Sequence, residues 1–161
     1  MNTQKPRLEN TSDAHAGIAW MNTRFGQPRV GMIAELTRRT GISDVEMFTA
    51  WPQPPLHYDA AAAAATRFGG LIVQGGITSG LLNAVVAEKL PGPGTVFLGV
   101  EWRFARAVHV GETITARVEV TTVRDDKPIC TLSTTVRNAS GETCLSGTAV
   151  TYTIPLVEGR D

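Results

Sequence analysis

The stretch WPQPPLHYDAAAAAATRFGGLIVQGG, Trp51 to Gly76, concentrates the residue types able to move a proton and to hold a carbonyl. His57 stands between a proline-rich loop and a helical run, and loops carried by rigid elements are where sites form. An imidazole is a group able to act as a general base. Gln74-Gly75-Gly76-Ile77 then opens a second helical run. First-turn N–H groups lack intrahelical partners and stand at the positive end of the helix dipole. A glycine there lets a ligand approach the backbone. The Gly75 N–H can therefore polarise a thioester carbonyl and hold the enolate formed when a proton moves at the neighbouring carbon. The same residues also suit a helix start packed beneath the preceding loop. Gln74 offers an amide that binds water or ligand without titrating near pH 7. Trp51 either narrows a pocket, favouring small acyl groups, or belongs to the core.

Other chemistries find no support. His15 lies in a polar arm, and His109, in AVHVGE, reads as a surface turn between strands. No histidine pair has helical ligand spacing and no CxxC occurs, so no metal is expected. The glycine pairs do not form a phosphate loop, Ser79 lacks a GxSxG context, and no cofactor is implied. Fifteen basic and fifteen acidic residues cancel, leaving no field to attract nucleic acid or an anionic membrane. No apolar run reaches the roughly 18 residues of a membrane span. The polar opening does not read as a signal peptide, so a cytoplasmic protein is expected.

The elements that position these residues follow from periodicity. The chain reads as a weakly ordered polar arm over 1–27, one domain over 28–155 and a tail over 156–161. Trp20 and Met21 are candidate anchors for the arm. VGMIAELTRR, 30–39, predicts a first strand. GISDVEMFTA predicts a short helix with Ser43 as N-cap, Glu46 completing a capping box, and Val45 and Phe48 inward. Asp59 caps the alanine run, which Gly69 and Gly70 stop. Ile77, Leu81, Leu82, Val85, Val86 and Leu90 recur at helical steps over 74–90, and PGPG ends that helix.

Two-residue alternation dominates the remainder. Val96, Leu98, Val100, Trp102 and Phe104 make one apolar face, and Ile114, Ala116, Val118 and Val120 make another. Two further strands follow, with turns at HVGE, RDDK and NASG, which predicts an antiparallel meander covered on one face by the long helix. If NASG closes a hairpin, paired indices total about 279, so Cys130 faces Ala149 and Cys144 faces Thr135. The sulfurs then lie on the order of 15 Å apart at ~3.3 Å per residue. A disulfide needs Cα atoms within about 7 Å, so two reduced thiols are expected.

The segments PPLHYDAAAAAATRFGGLIVQGG, LPGPGTVFLGVEWRF and VHVGETITARVEV resemble the MaoC-like, single-hotdog branch of the (R)-specific enoyl-CoA hydratases, often labelled 3-hydroxybutyryl-CoA dehydratases. The resemblance covers about residues 28–154. It implies an α+β hotdog fold, a homodimer with joined sheets and an acyl-CoA substrate. The family loop reads G-D-x-N-P-x-H. Here Pro55 and His57 match, whereas Pro52 replaces the aspartate and Pro54 the asparagine. Proline has neither a side-chain donor or acceptor nor a backbone N–H. The family's H-G at the helix start is Gln74-Gly75. The implied site is His57 as base and Gly75 as oxyanion donor, with Gln74, Gly76 and Trp51 against substrate. Asp59 reads better as a cap, and Glu101 as strand surface, than as replacement carboxylates. The rival readings are a non-catalytic acyl-thioester-binding or partner subunit, and a hotdog thioesterase.

Overall fold

A computed structural model describes residues 18–48 and 54–156. The elements in chain order are β1 (Ile33–Arg39), α1 (Ile42–Phe48), a 3-10 turn (Pro55–His57), α2 (Ala60–Ala64), α3 (Gly75–Glu88), β2 (Thr95–Phe104), β3 (Thr113–Val123), β4 (Ile129–Asn138) and β5 (Thr143–Thr153). The strands form one five-stranded sheet in the order β1-β3-β4-β5-β2, antiparallel throughout. Leu81, Leu82, Val85 and Val86 of α3 pack on Ile114, Ala116, Val118, Leu132, Val136 and Leu145, all buried. The helical stripe and the alternating strands therefore meet as their periods require. Trp20 completes the core, its indole Nε1–H donating to the Arg124 carbonyl at 3.3 Å, whereas Met21 is exposed.

The sheet is not a simple meander. Only β3, β4 and β5 are joined by hairpins; β2 pairs instead with the far side of β5, and β3 with β1. HVGE accordingly lies in a crossover, not a hairpin turn. That crossover pairs with the segment before α3: Val73 N–H donates to Val108 O at 2.8 Å, and Val110 N–H to Leu71 O at 3.0 Å.

The apolar face expected of β2 is not covered either. Val96, Leu98, Val100 and Phe104 are exposed, because β2 is an edge strand that α3 covers only in part, while Phe97 and Trp102 pack on the core. A bulge at Leu98 switches the alternation. Phe97 and Trp102 consequently turn to the same side and meet edge to face, their ring centroids 5.7 Å apart.

Two local details also differ from the sequence reading. α1 begins at Ile42, so Ser43 lies inside it and is not its cap; Asp44, in the first turn, reaches back to accept the Gly41 N–H at 2.7 Å and pairs with Arg38. In the last hairpin, Asn138 N–H donates to Glu142 O, so the loop is Ala139-Ser140-Gly141, and Cys144 adds a bulge. Val136 then faces Leu145 and Cys130 faces Thr151, a total of 281 rather than 279. Cys130 and Cys144 are free, as expected, and both are buried, which pushes the thiols above their ordinary range.

Candidate active site

His57 ends the 3-10 turn that Pro55 begins, proline suiting a first helical position where its missing N–H costs nothing. Behind it Asp59 caps α2, its Oδ1 accepting the Ala61 and Ala62 N–H groups, each at 3.0 Å. The cap fixes the chain direction just after His57 and occupies the carboxylate that stands nearest to it in sequence.

The ring itself is held by backbone. His57 Nδ1 lies 2.8 Å from the Ile72 carbonyl oxygen. A carbonyl only accepts, so the neutral ring carries its proton on Nδ1 and leaves Nε2 with a free lone pair. Ile72 N–H in turn donates to Leu56 O at 3.3 Å, closing a reciprocal link between the two loops. The imidazole is thereby fixed in orientation and tautomer by backbone.

His57 borders a cleft of about 660 Å³ whose walls also include Gly75, Thr78, Phe104, Arg67, Arg106 and His109. Gly75 lies close beneath Phe104: a Cβ there would come 3.1 Å from the ring Cε1. The α3 start thus borders the same cleft as His57. Among the described lining residues there is no Asp or Glu. Glu101 lies elsewhere, exposed on β2. The described residues contain no cluster of three His, Cys, Asp or Glu able to hold a metal ion.

The remaining sequence candidates are placed differently. Gly76 lines a second cavity on the other side of the α3 start, not the His57 cleft. Gln74 is the N-cap residue of α3, yet its side chain makes no cap bond. It is 5% exposed, does not line the cleft, and its Nε2 and Oε1 have no hydrogen-bond partner among the described residues. Trp51 and Pro52 lie outside the described residues.

The sequence reading missed the basic wall of the cleft. His109, expected at the surface, is half-buried; its Nε2 donates to Phe68 O at 2.8 Å, and its Nδ1 stands 3.6 Å from Glu112. Arg106 pairs with Glu142 at 3.1 Å, and the Arg67 guanidinium stands 5.1 Å over the Phe68 ring. Reading AVHVGE, 107–112, as a surface turn hid His109. Val108, which the crossover buries, was the available sign.

Comparison with known proteins bears on the same region. Residues 27–141 match the family model described as MaoC like domain. The chain is 41% identical over 123 residues, 75% of its length and 92% of the relative's, to an (R)-specific enoyl-CoA hydratase of Aeromonas caviae. It is 31% identical over 139 residues, 85% and 87% of the two chains, to a 3-hydroxybutyryl-CoA dehydratase of Methylorubrum extorquens. Among solved structures, the unliganded R-hydratase PhaJ1 from Pseudomonas aeruginosa superposes with a TM-score of 0.74 at 32% identity, over 83% of this chain and 91% of that one.

The buried amide of Gln74 generates a stability prediction. An unpaired buried polar group costs about 1–3 kcal/mol, a penalty that an apolar residue of similar size avoids. Gln74→Leu is expected to raise the unfolding free energy by roughly that amount in urea titrations. A loss of stability would show that the amide is satisfied in solution.

Proposed function

We propose that this chain, which belongs to the MaoC-like domain family, adds water across the double bond of an enoyl-CoA, or removes it from the 3-hydroxyacyl-CoA, with His57 as base and Gly75 as oxyanion donor. By sequence and fold it is a hydratase- or dehydratase-like protein on a hotdog scaffold. The observation that carries the assignment of roles is the His57 Nδ1–Ile72 carbonyl bond in a cleft bordered by Gly75.

In the forward direction Nε2 takes a proton from water as the water oxygen bonds to the β-carbon. The electrons of the double bond move toward the thioester, whose oxygen becomes an enolate held by the Gly75 N–H. The imidazolium then returns a proton to the α-carbon, so one water is consumed and His57 is regenerated. Arg67 gives the rim positive charge, which suits the phosphates of a CoA carrier. Gln74, Gly76 and Trp51 belong to this proposal as residues that shape the substrate's surroundings, not as groups that move protons.

The family loop's aspartate is Pro52 here, so His57 activates water without a paired carboxylate in that loop. Groups that act as a unit are strongly non-additive, which makes the proline the feature most able to favour a binding or partner-subunit role. Hydration of crotonyl-CoA, followed by loss of the enoyl-thioester absorbance, separates the two. Wild-type protein is expected to turn the substrate over, with His57→Ala lowering the rate by about 10²–10⁴-fold and Pro52→Asp raising it. Activity indifferent to His57→Ala overturns the assignment. Activity seen only in Pro52→Asp favours the non-catalytic reading, and release of free CoA thiol without hydration favours a thioesterase.

Under the same reading the protein is a homodimer joined through β2. That strand ends the sheet and exposes Val96, Leu98, Val100 and Phe104, the kind of apolar edge that templates pairing with a second copy. Sedimentation equilibrium is expected to give a dimer of the 17.2 kDa chain, and Val100→Lys, an edge charge, a monomer. A monomeric wild type, or a dimer indifferent to the lysine, contradicts this interface.

A further inference from the structure

The start of α3 offers the His57 cleft a second donor besides the Gly75 N–H. Thr78 lines the same cleft and is only 3% exposed. A helical threonine can turn its Oγ1 to the carbonyl three or four residues back, as Ser79 does next to it, donating to Gly76 O at 3.3 Å. The Thr78 hydroxyl makes no such bond, and no other among the described residues. Nor is it sealed in: the enclosed side-chain atoms without a partner among the described residues are Nε2 and Oε1 of Gln74. A buried hydroxyl that is neither bonded nor enclosed opens on the cleft that Thr78 lines. The helix sets where it stands. Residues three apart are neighbours on one helix face, their Cβ positions about 5–6 Å apart, and helical side chains lean back over the preceding turn. Thr78 therefore leans toward Gly75, which has no side chain to fill the space. One oxygen atom at ~2.9 Å from each of two donors spans about the same interval. The other polar groups of the wall are engaged: Arg106 with Glu142 and Glu112, His109 Nε2 with Phe68 O, and Arg67 over the Phe68 ring.

We infer that the Thr78 hydroxyl is a second donor to the thioester oxygen, completing with the Gly75 N–H a two-donor oxyanion site on one helical turn. The inference rests on the enoyl-CoA reading above and adds a catalytic residue to it. As the water oxygen bonds to the β-carbon, the double-bond electrons move toward the thioester and negative charge grows on its oxygen. The hydroxyl donates to that oxygen and keeps its own proton. The proton balance is unchanged: His57 takes one from water and returns one to the α-carbon. Hydrogen bonds to an ionised acceptor are stronger than those to a neutral one. Thr78 therefore stabilises the enolate more than the bound thioester, and its effect falls on kcat rather than on KM.

The test is steady-state hydration of crotonyl-CoA by the full chain carrying Thr78→Val, which replaces the hydroxyl with a methyl, and Thr78→Ser, which keeps it. Thr78→Val is expected to lower kcat about 100-fold, the order of effect of removing one oxyanion donor, with KM little changed. Thr78→Ser is expected to recover most of the rate. A second readout does not depend on turnover: the infrared carbonyl stretch of bound butyryl-CoA, a saturated thioester, labelled with ¹³C at its carbonyl. It is expected at higher frequency in Thr78→Val than in wild type or Thr78→Ser. Circular dichroism establishes folding, and Thr78→Ala carries the test where the valine variant does not fold. Wild-type kcat in a folded variant without the hydroxyl, a loss confined to KM, or a serine variant as slow as the valine one overturns the proposal and leaves the enoyl-CoA reading intact. Wild-type protein that binds butyryl-CoA without hydrating crotonyl-CoA counts against the enoyl-CoA reading instead. The carbonyl stretch then decides Thr78 by itself: a shift in Thr78→Val upholds the contact, and an unshifted stretch overturns it.

Discussion

The backbone of Ile72 is the point on which the site depends. Its carbonyl takes the His57 Nδ1 proton and its N–H reaches back to Leu56, so one residue fixes both the imidazole and the loop that carries it. Ile72 is itself immobilised from the other side. The bonds from Val73 to Val108 and from Val110 to Leu71 pair this segment with the crossover between β2 and β3, and Ile72 is buried. Gly75 begins the helix three residues later. His57 and Gly75, the proposed base and oxyanion donor, are thus positioned by one short backbone segment, which gives their relative placement little freedom. Such pre-organisation matters because a donor or base must be aimed before charge develops.

The crossover explains the sheet order as well as the site. Because residues 105–112 run past the start of α3, β2 and β3 end on opposite sides of the β4–β5 pair, and β2 becomes an edge. The same path brings Arg106 and His109 to the cleft, where Arg106 is paired with Glu142, and His109 ties Phe68 to the crossover. One topological feature therefore makes the basic wall of the cleft and the exposed apolar face of β2.

Much of this was legible in the residues. Alternation in 114–120 and the helical stripe at 81, 82, 85 and 86 specify buried faces directly, because a side chain's face follows from its number. Asp59 was readable as a cap and His57 as the candidate base. What stayed hidden depends on groups without a side-chain signature. The carbonyl of Ile72 is an acceptor that any residue would supply, so the anchor of His57 leaves no trace in the sequence. Strand order is likewise silent: a crossover and a hairpin turn share glycine and polar residues, and HVGE reads as either. The bulges at Leu98 and Cys144 shift parity by inserting a residue that composition does not mark. Gln74 was visible as a departure from the family's histidine, but its enclosure without a partner is a property of packing alone.

The central claim is that backbone holds His57 as a base, with its proton on Nδ1 and Nε2 unprotonated. Long-range proton–nitrogen NMR of ¹⁵N-histidine-labelled protein, at a pH where the ring is neutral, reads this tautomer directly, with His57→Ala assigning the signals. The account predicts a protonated, pyrrole-like Nδ1 and a pyridine-like Nε2 for His57. A protonated Nε2 with a bare Nδ1 would contradict it, because the nitrogen assigned to take the proton from water would already carry one.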